Sequence, residues 1–223
     1  TCSCDLKFKT GDVLPRIILE GERTEADVVI GLNTDITKKA RETGLFEPHR
    51  QDNTKLTLPI DWTDDVFLPF NYSHTAFIYN TKKVTNPPIS FDALVNSNSD
   101  LSLVIQDPRS SISGLALVLW VKAVYGDKAE KVWEKLAPKI LTVTKGWSES
   151  YGLFSAGEAD MVLSYTTSPA YHILAEGDLT KKAAIFPEGH YLMVELAAKV
   201  AKTDVPNLAN AFMAFILTER FQN

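Results

Sequence analysis

The sequence predicts an α/β fold in which a mostly parallel sheet is covered by helices. Three observations predict it. Strand-like and helix-like segments alternate, several strands are almost continuous apolar runs, and the composition is that of an ordinary globular chain. The chain has 223 residues, of which 45% are hydrophobic and 23% are charged, which is enough apolar material for a sizeable core. Its length allows one large domain or two small ones.

The first third of the chain sets up the alternation. Pro15 falls in the first turn of a helical pattern, where a missing N–H costs little, and Gly44 ends a polar helix. Between these helices, residues 25–32 read EADVVIGL, as a strand covered on both faces should. The expected elements are a strand at 5–9, a helix at 12–22, a strand at 25–32, a helix at 34–44 and a long β-rich segment at 66–80.

The rest of the chain continues the same alternation. Ser90 is the expected N-cap of a short helix, Pro108 stops a strand, and Gly126 ends a strongly apolar helix. Ser168 is the expected N-cap of a later helix. The expected strands are 101–105, 140–144 and 159–165, and the expected helices are 90–97, 113–126, 127–140, 148–158 and 168–177.

Charge and hydropathy exclude some classes of protein. The formal net charge is −5, which argues against a general nucleic-acid surface. The chain has no run of 18 apolar residues, so a membrane-spanning helix is not expected. It begins at Thr1 without an initiator Met or a signal peptide, as expected of a mature or truncated protein.

The two cysteines, Cys2 and Cys4, form a C-x-C pattern that matches no common zinc spacing. There is no second pair, and the four histidines are scattered, so no metal site is expected. A disulfide between the two would close a very small, strained ring. The sequence leaves open that disulfide, two free thiols, or thiols paired in another way.

Four loops that follow predicted strands carry most of the candidate chemistry. In open α/β sheets, ligands bind outside the carboxyl ends of the strands, where loops and helix N-termini converge. The loops here are rich in Ser, Thr and Gly. They are residues 31–35, 106–114, 144–150 and 164–172.

Hydroxyls and aromatic rings recur in these loops. Ser and Thr before a helix, together with free backbone N–H groups, form a ready anion site. Aromatic rings bind a flat heterocycle by stacking or a cation by its attraction to the ring face. The pattern therefore predicts a ligand with a flat ring, a positive centre and a polar or phosphate tail. The hydroxyl candidates are Ser110, Ser111, Ser113, Thr166, Thr167 and Ser168, and the ring candidates are Trp147, Tyr165 and Tyr171.

Structural roles explain some of the same residues without a ligand. The hydroxyls fit ordinary helix caps, and Tyr165 and Tyr171 fit partly buried core positions. Trp147 differs, because it follows Gly146 in a polar loop. Trp120 and Trp133 are interpreted as core residues, His172 as structural and Asp107 as a turn residue.

Sequence signatures of an enzyme are weak. The chain has no G-x-S-x-G elbow, no H-E-x-x-H and no phosphate-loop glycine pattern. Ser164 and His172 are close in sequence, but nothing marks an orienting carboxylate, so a catalytic triad is not expected.

Three segments carry a family resemblance. VIQDPRSSISGLALVLWVKAVYG, TVTKGWSESYGLF and DMVLSYTTSPAYHIL, in this order and spacing, resemble the periplasmic thiamine-binding proteins of ABC importers. The resemblance covers nearly the whole chain, and KGWSE and SYTTSPAYH are its most specific parts. It implies the type II periplasmic solute-binding fold, in which two α/β domains trap the ligand between them. The implied domains are 1–78 plus 192–223, expected to be incomplete at both chain ends, and 79–191.

The resemblance also implies a function and a set of contacts. Thiamine has a flat aminopyrimidine, a cationic thiazolium and a hydroxyethyl tail that can carry phosphate; free thiamine, its monophosphate and its diphosphate all remain open. The protein would be a monomer in the periplasm, deliver its ligand to the membrane permease of an ABC importer for vitamin uptake, and catalyse no reaction. The implied ring contacts are Trp147, Tyr165 and Tyr171. The implied tail contacts are Ser111 and Ile112, with Thr166, Thr167, Ser168 and Pro169 closing the pocket.

Three alternatives remain at this stage. A ferric-ion receptor of the same fold would want clustered tyrosinate oxygens with a His or carboxylate, and a polyamine receptor would want several carboxylates. The strand ends supply few carboxylates, which disfavours both. A thiamine-degrading enzyme of this fold would need a cysteine nucleophile, and the chain offers only Cys2 and Cys4, ahead of the first strand.

Overall fold

A computed structural model describes residues 8–9, 13–54, 56–97 and 100–222, with only the backbone described at 8–9. Cys2 and Cys4 lie outside the described residues, and their pairing stays a prediction. The strands are β1 (Phe8–Lys9), β2 (Val28–Asn33), β3 (Phe46–Glu47), β4 (Phe67–Asn80), β5 (Leu103–Gln106), β6 (Ile140–Thr144), β7 (Met161–Tyr165), β8 (Lys181–Ala183) and β9 (Leu192–Val200). The helices are α1 (Val13–Glu20), α2 (Thr37–Glu42), α3 (Phe91–Asn96), α4 (Ile112–Tyr125), α5 (Ala129–Leu136), α6 (Trp147–Ser155), α7 (Ser168–Tyr171), α8 (Pro206–Phe215) and α9 (Glu219–Gln222). Within the described part of the chain, every helix is too short or too polar to cross a bilayer.

The chain forms two compact units. Unit 1 comprises Thr1–Tyr72 and Val194–Asn223, and unit 2 comprises Ser73–Met193. The boundaries between the units fall within β4 and β9. The sequence-based boundaries, 78/79 and 191/192, lie six residues later in β4 and just ahead of β9.

The sheet of unit 1 is mixed. β1 pairs parallel with β2, while β9 pairs antiparallel with β2 and with β3. Helix α8 packs its small and apolar side chains against this sheet, and the buried cluster there is Val28, Leu68, Ala197, Ala209, Met213 and Ile216. The long strand β9 joins sequence-distant segments, which an alternation of local strands and helices does not predict.

A buried histidine, His49, lies beside the Arg41–Asp64 ion pair of unit 1. His49 Nδ1 accepts the backbone N–H of Gln51 at 2.9 Å, and its Nε2 faces the Asp64 carbonyl oxygen at 3.4 Å. Burial lowers the pKa of His49, and the nearby Lys199 ammonium acts in the same direction against the opposing pull of Asp64. Protonating Nδ1 would also convert this acceptor into a donor that faces the backbone N–H of Gln51, so the hydrogen bond between them would be lost.

We expect His49 to make the protein less stable in mild acid. A group whose folded pKa is depressed contributes stability that is present above its unfolded pKa and is lost as the pH falls toward the folded pKa. Between about pH 7.5 and pH 5.5, where Asp and Glu side chains are mostly ionised, the wild type should lose more free energy of unfolding than His49→Gln. Urea denaturation at both pH values measures this, and equal losses in the two proteins would contradict it.

The sheet of unit 2 carries the candidate loops. β5 lies between β6 and β7 and pairs parallel with both, and β4 pairs antiparallel with β7 and β8. The sequence predicts a mostly parallel sheet, and the βαβ part of the unit agrees. The antiparallel strands β4 and β8 make the whole sheet mixed.

The core of unit 2 confirms the interpretation of two tryptophans. Trp120, in α4, is buried, its ring stacks on Phe77 with centroids 6.1 Å apart, and its Nε1 donates to the Gly189 carbonyl oxygen at 3.0 Å. Trp133 is partly buried and packs against the same cluster. Ser90 is also confirmed as an N-cap, because its hydroxyl accepts the Ala93 N–H at 2.8 Å.

Candidate ligand-binding site

The carboxyl ends of β5, β6 and β7 are joined by side-chain hydrogen bonds in unit 2. At the end of β5, the buried Gln106 donates through Nε2 to Ser150 Oγ and to the Leu163 carbonyl oxygen, which links it to α6 and β7. Ser110 Oγ donates to the Lys145 carbonyl oxygen at 2.8 Å, which joins the loops after β5 and β6. The predicted loops are therefore held together at one edge of the sheet.

The loop between β5 and α4 is a tight turn built on Asp107. The Asp107 carbonyl oxygen accepts the N–H groups of Ser110 and Ser111, and its carboxylate accepts the backbone and guanidinium N–H groups of Arg109. The Arg109 hydrogen bonds lower the pKa of Asp107 to about 2. Asp107 is thus confirmed as a turn residue, ionised at neutral pH.

Helix α4 begins without a side-chain cap. Ser111 occupies the N-cap position, but its hydroxyl pairs with Ser113 Oγ at 2.9 Å and makes no capping bond to the helix. Ile112, the candidate beside it, is the first helical residue and is half-buried. The first N–H groups of an α-helix have no intrahelical acceptor, so this end of α4 retains the donors that an anion would use.

Trp147 is the first residue of α6, whereas the sequence places it in a loop before the helix. Helix α6 starts one residue earlier than expected, because Gly146 is already extended at the N-cap position. Trp147 Nε1 donates to Ser164 Oγ at 2.8 Å, and its ring stacks on Tyr151 with centroids 4.7 Å apart. With 38% of its surface exposed, the indole is fixed at its edge and on one face and still reaches solvent.

The end of β7 brings the hydroxyl candidates together, although their roles differ from those expected. Ser168 is the first helical residue of α7 and not its N-cap; its hydroxyl bonds to Ser164 Oγ at 2.7 Å. The N-cap is Thr167, which makes no side-chain cap and instead pairs with Ser73 Oγ at 3.0 Å. Thr166 donates its N–H to the His74 carbonyl oxygen. The half-buried Pro169 follows in the first turn of α7, where a ring is tolerated.

The two candidate tyrosines differ in exposure. Tyr165 is half-buried at the end of β7, whereas Tyr171 is 64% exposed at the end of α7. The Tyr171 ring contacts the His172 ring edge-on, at a centroid distance of 5.6 Å. The expected helix 168–177 is a short α-helix followed by a π-helical turn, His172–Glu176, which ends at Gly177 in the left-handed conformation.

One group of side chains could be considered for a metal. Among the described residues, ligand atoms of His172, Glu176 and Asp178 lie within 4.8 Å of one another. These atoms already have partners: His172 Nδ1 bonds to Glu176 at 2.6 Å, and Asp178 accepts the Thr180 N–H and faces the Lys181 ammonium at 3.6 Å. A nearby ammonium and filled hydrogen bonds do not favour a cation there.

The sequence did not identify several residues that hold the candidate side chains in place through hydrogen bonds and ring contacts. Ser164, Gln106 and Ser150 connect the strand ends through hydrogen bonds, and Ser73 reaches Thr167 from β4. Tyr151 lies four residues after Trp147, one helical turn away, and that spacing is the signal that could have identified it. His172 is buried and hydrogen-bonded, as a structural histidine should be.

A hydrogen-bonded edge with a partly exposed indole, an exposed tyrosine and helix N–H groups without a side-chain cap is suited to holding a small molecule. These are features of a small-molecule receptor, and a comparison with known proteins supports that class. The chain belongs to the bacterial extracellular solute-binding protein family, whose model matches residues 7–223. This membership confirms the prediction of a solute receptor and not an enzyme.

Two relatives are similar over the whole chain. The thiamine-binding periplasmic protein of Escherichia coli K12 is 47% identical over 226 aligned residues, which cover 100% of this chain and 69% of that protein. A solved structure of a periplasmic thiamin binding protein is 48% identical with a TM-score of 0.95, covering 100% of this chain and 71% of that one. The type II fold predicted from the sequence is therefore confirmed.

A more distant structure shows how widely this fold is shared. Iron-bound HitA from Pseudomonas aeruginosa has a TM-score of 0.77 at 22% identity, covering 96% of this chain and 72% of that one. At this level of identity the likeness concerns the fold alone. The ligand must be argued from the site and from the relatives of high identity.

Proposed function

We propose that this chain is a thiamine-binding receptor of the periplasm that delivers its ligand to the permease of an ABC importer and acts as a monomer. The observation that carries the proposal is 47% identity, along the entire chain, to a protein named for binding thiamine in the periplasm. Binding is the function, and the bound vitamin leaves unchanged.

The arrangement in unit 2 supports this ligand. The open face of the Trp147 indole suits a flat aminopyrimidine or a thiazolium cation, and Tyr171 and Tyr165 lie on the adjoining segment. The start of α4, with Ser111 and Ile112, suits the hydroxyethyl tail or its phosphate. Residues 166–169 follow directly after β7, whose Ser164 hydroxyl contacts both Trp147 and Ser168.

Tryptophan fluorescence titrated with thiamine, thiamine monophosphate and thiamine diphosphate tests the proposal. We expect saturable quenching or a spectral shift with at least one of them and no response to spermidine or ferric citrate. Recovery of intact thiamine after prolonged incubation should be complete. A protein that responds to a polyamine or iron and not to thiamine would refute the proposal, as would loss of the vitamin. Size-exclusion chromatography, with and without thiamine, tests the monomeric state.

The start of α4 gives a prediction about the phosphate. Ser111→Ala should weaken thiamine diphosphate binding about tenfold more than thiamine binding, because a phosphate gains charge-assisted hydrogen bonds where free thiamine offers only a hydroxyl. Thr167→Ala should act in the same direction. Isothermal titration of each variant with both ligands measures the difference, and Ser155→Ala, at the exposed end of α6, is the control. Equal losses for the two ligands would show that these hydroxyls support the loops and do not distinguish the phosphate.

A further inference from the structure

On the side of Trp147 away from solvent, Tyr151, His172 and Glu176 form a continuous chain of contacting side chains. Tyr151 lies one helical turn along α6 and stacks on Trp147 at an interplanar angle of 27°. The Tyr151 ring lies nearly parallel to the His172 imidazole, at 14° with centroids 5.7 Å apart. His172 begins the π-helical turn, and Glu176 ends it. The chain therefore joins α6 to the segment that follows β7.

The hydrogen bonds of this chain have a defined direction. The Glu176 carboxylate can only accept, so His172 Nδ1 donates to it at 2.6 Å. In the neutral imidazole, His172 Nε2 is then left to accept, and the Tyr151 hydroxyl lies 2.8 Å from it. Burial raises the pKa of Tyr151 to about 12, with Glu176 reinforcing the effect against an opposing hydrogen bond from Ser168, so the phenol retains the proton that it donates.

His172 and Glu176 begin and end the π-helical turn, and their spacing of four residues lets the two side chains meet. The His172 carbonyl oxygen accepts the N–H of Gly177 and of Asp178, a wider turn than an α-helix makes. Such π-helical turns are rare and are frequently found at functional sites. His172 is 4% exposed, and both of its ring nitrogens have partners, so the imidazole is held in one orientation.

We propose that Glu176, His172 and Tyr151 are positioning residues for Trp147. Their hydrogen-bonded chain fixes the Tyr151 ring, which covers one face of the indole, while Ser164 fixes its edge. The opposite face is then presented to the ligand without a loss of rotamer freedom on binding. The proposal rests on the proposed function only because thiamine is the ligand whose affinity reports how Trp147 is positioned.

A double-mutant cycle separates positioning from a general structural role. Tyr151→Phe keeps the stacked ring and removes the hydroxyl, and we expect thiamine affinity to fall about threefold to tenfold, the range of coupled neighbours. In a Trp147→Ala background the same change should have no further effect. If Tyr151→Phe costs the same in both backgrounds, the chain does not act through Trp147 and the proposal is overturned.

Glu176 provides a second variant, at a position whose side chain is about half exposed. Glu176→Ala should weaken thiamine binding, and Glu176→Gln should restore most of the affinity, because its amide oxygen still accepts from His172. Leu174→Ala is the matched control, since Leu174 lies in the same π-helical turn and is 86% exposed. Equal affinities for wild type, Glu176→Ala and Leu174→Ala would contradict the proposal.

A ligand-free measurement keeps this test independent of thiamine. The near-ultraviolet circular dichroism of Trp147, taken as the difference between wild type and Trp147→Phe, reports how the indole is fixed on Tyr151. We expect Tyr151→Phe and Glu176→Ala to reduce this signal and Leu174→Ala to leave it intact. If thiamine fails to bind the wild type but the signal behaves in this way, the proposed function fails and the positioning role stands. An unchanged signal in both variants refutes the positioning role whatever the ligand.

Discussion

Trp147→Ala should lose more than about 1 kcal/mol of thiamine binding free energy, which is a loss of affinity of more than about fivefold. The change removes the stacking area for a flat ring, about 0.5 to 1.5 kcal/mol, together with a cation–π partner for the thiazolium, about 0.5 to 2 kcal/mol. It also removes the Nε1 donor to Ser164 and leaves the Tyr151 ring uncovered. Calorimetric titration of the purified variant with thiamine measures the loss directly.

Trp133→Phe is the control for this loss. Trp133 lies on α5 and packs against the core of unit 2, so the substitution keeps an apolar ring there and should leave thiamine affinity nearly unchanged. Trp147→Phe should fall between the two, because a smaller ring still stacks but cannot donate to Ser164. Equal losses in Trp147→Ala and Trp133→Phe would place the ligand away from Trp147.

Local patterns predicted most elements of the fold, because each depends on neighbours in sequence. Ser90 and Gly126 lie at the helix ends where capping rules put them, and β5, β6 and β7 follow their apolar runs. The antiparallel pairing of β4 with β7 and β8 could not be predicted in this way. That pairing joins residue pairs such as Thr75 and Tyr165, which are far apart in sequence and carry no shared local signal.

The candidate site was predictable in its residue types and less so in its geometry. The sequence identifies Trp147, Thr167 and Ser168 as candidates, but it assigns the hydroxyls to caps that the structure does not contain. Their actual partners, Ser164 and Ser73, are set by which strands lie side by side. The same limit applies to Tyr151 and His172, whose contact depends on how α6 packs beside the end of β7.

Helix α4 approaches β5 so closely that only glycine fits at position 114. A Cβ atom on Gly114 would lie 2.8 Å from the carbonyl carbons of Gln106 and Asp107, and closer still to the Gln106 oxygen. Both neighbours are backbone at the end of a buried strand, so no flexible side chain can move aside. The helix start must therefore shift, and that start carries Ser111 and Ile112.

Gly114→Ala should consequently destabilise the protein by about 1 to 3 kcal/mol, the usual cost of overpacking, although alanine is the better helix former. It should also weaken thiamine diphosphate binding, because the donors at the start of α4 move with the helix. Gly152→Ala is the matched control: Gly152 lies within α6, and an added Cβ would meet nothing within 4 Å. That substitution should stabilise the protein by about 0.5 to 1 kcal/mol. Urea denaturation compares the two, and a Gly114→Ala protein as stable as Gly152→Ala would mean that α4 does not approach β5 this closely.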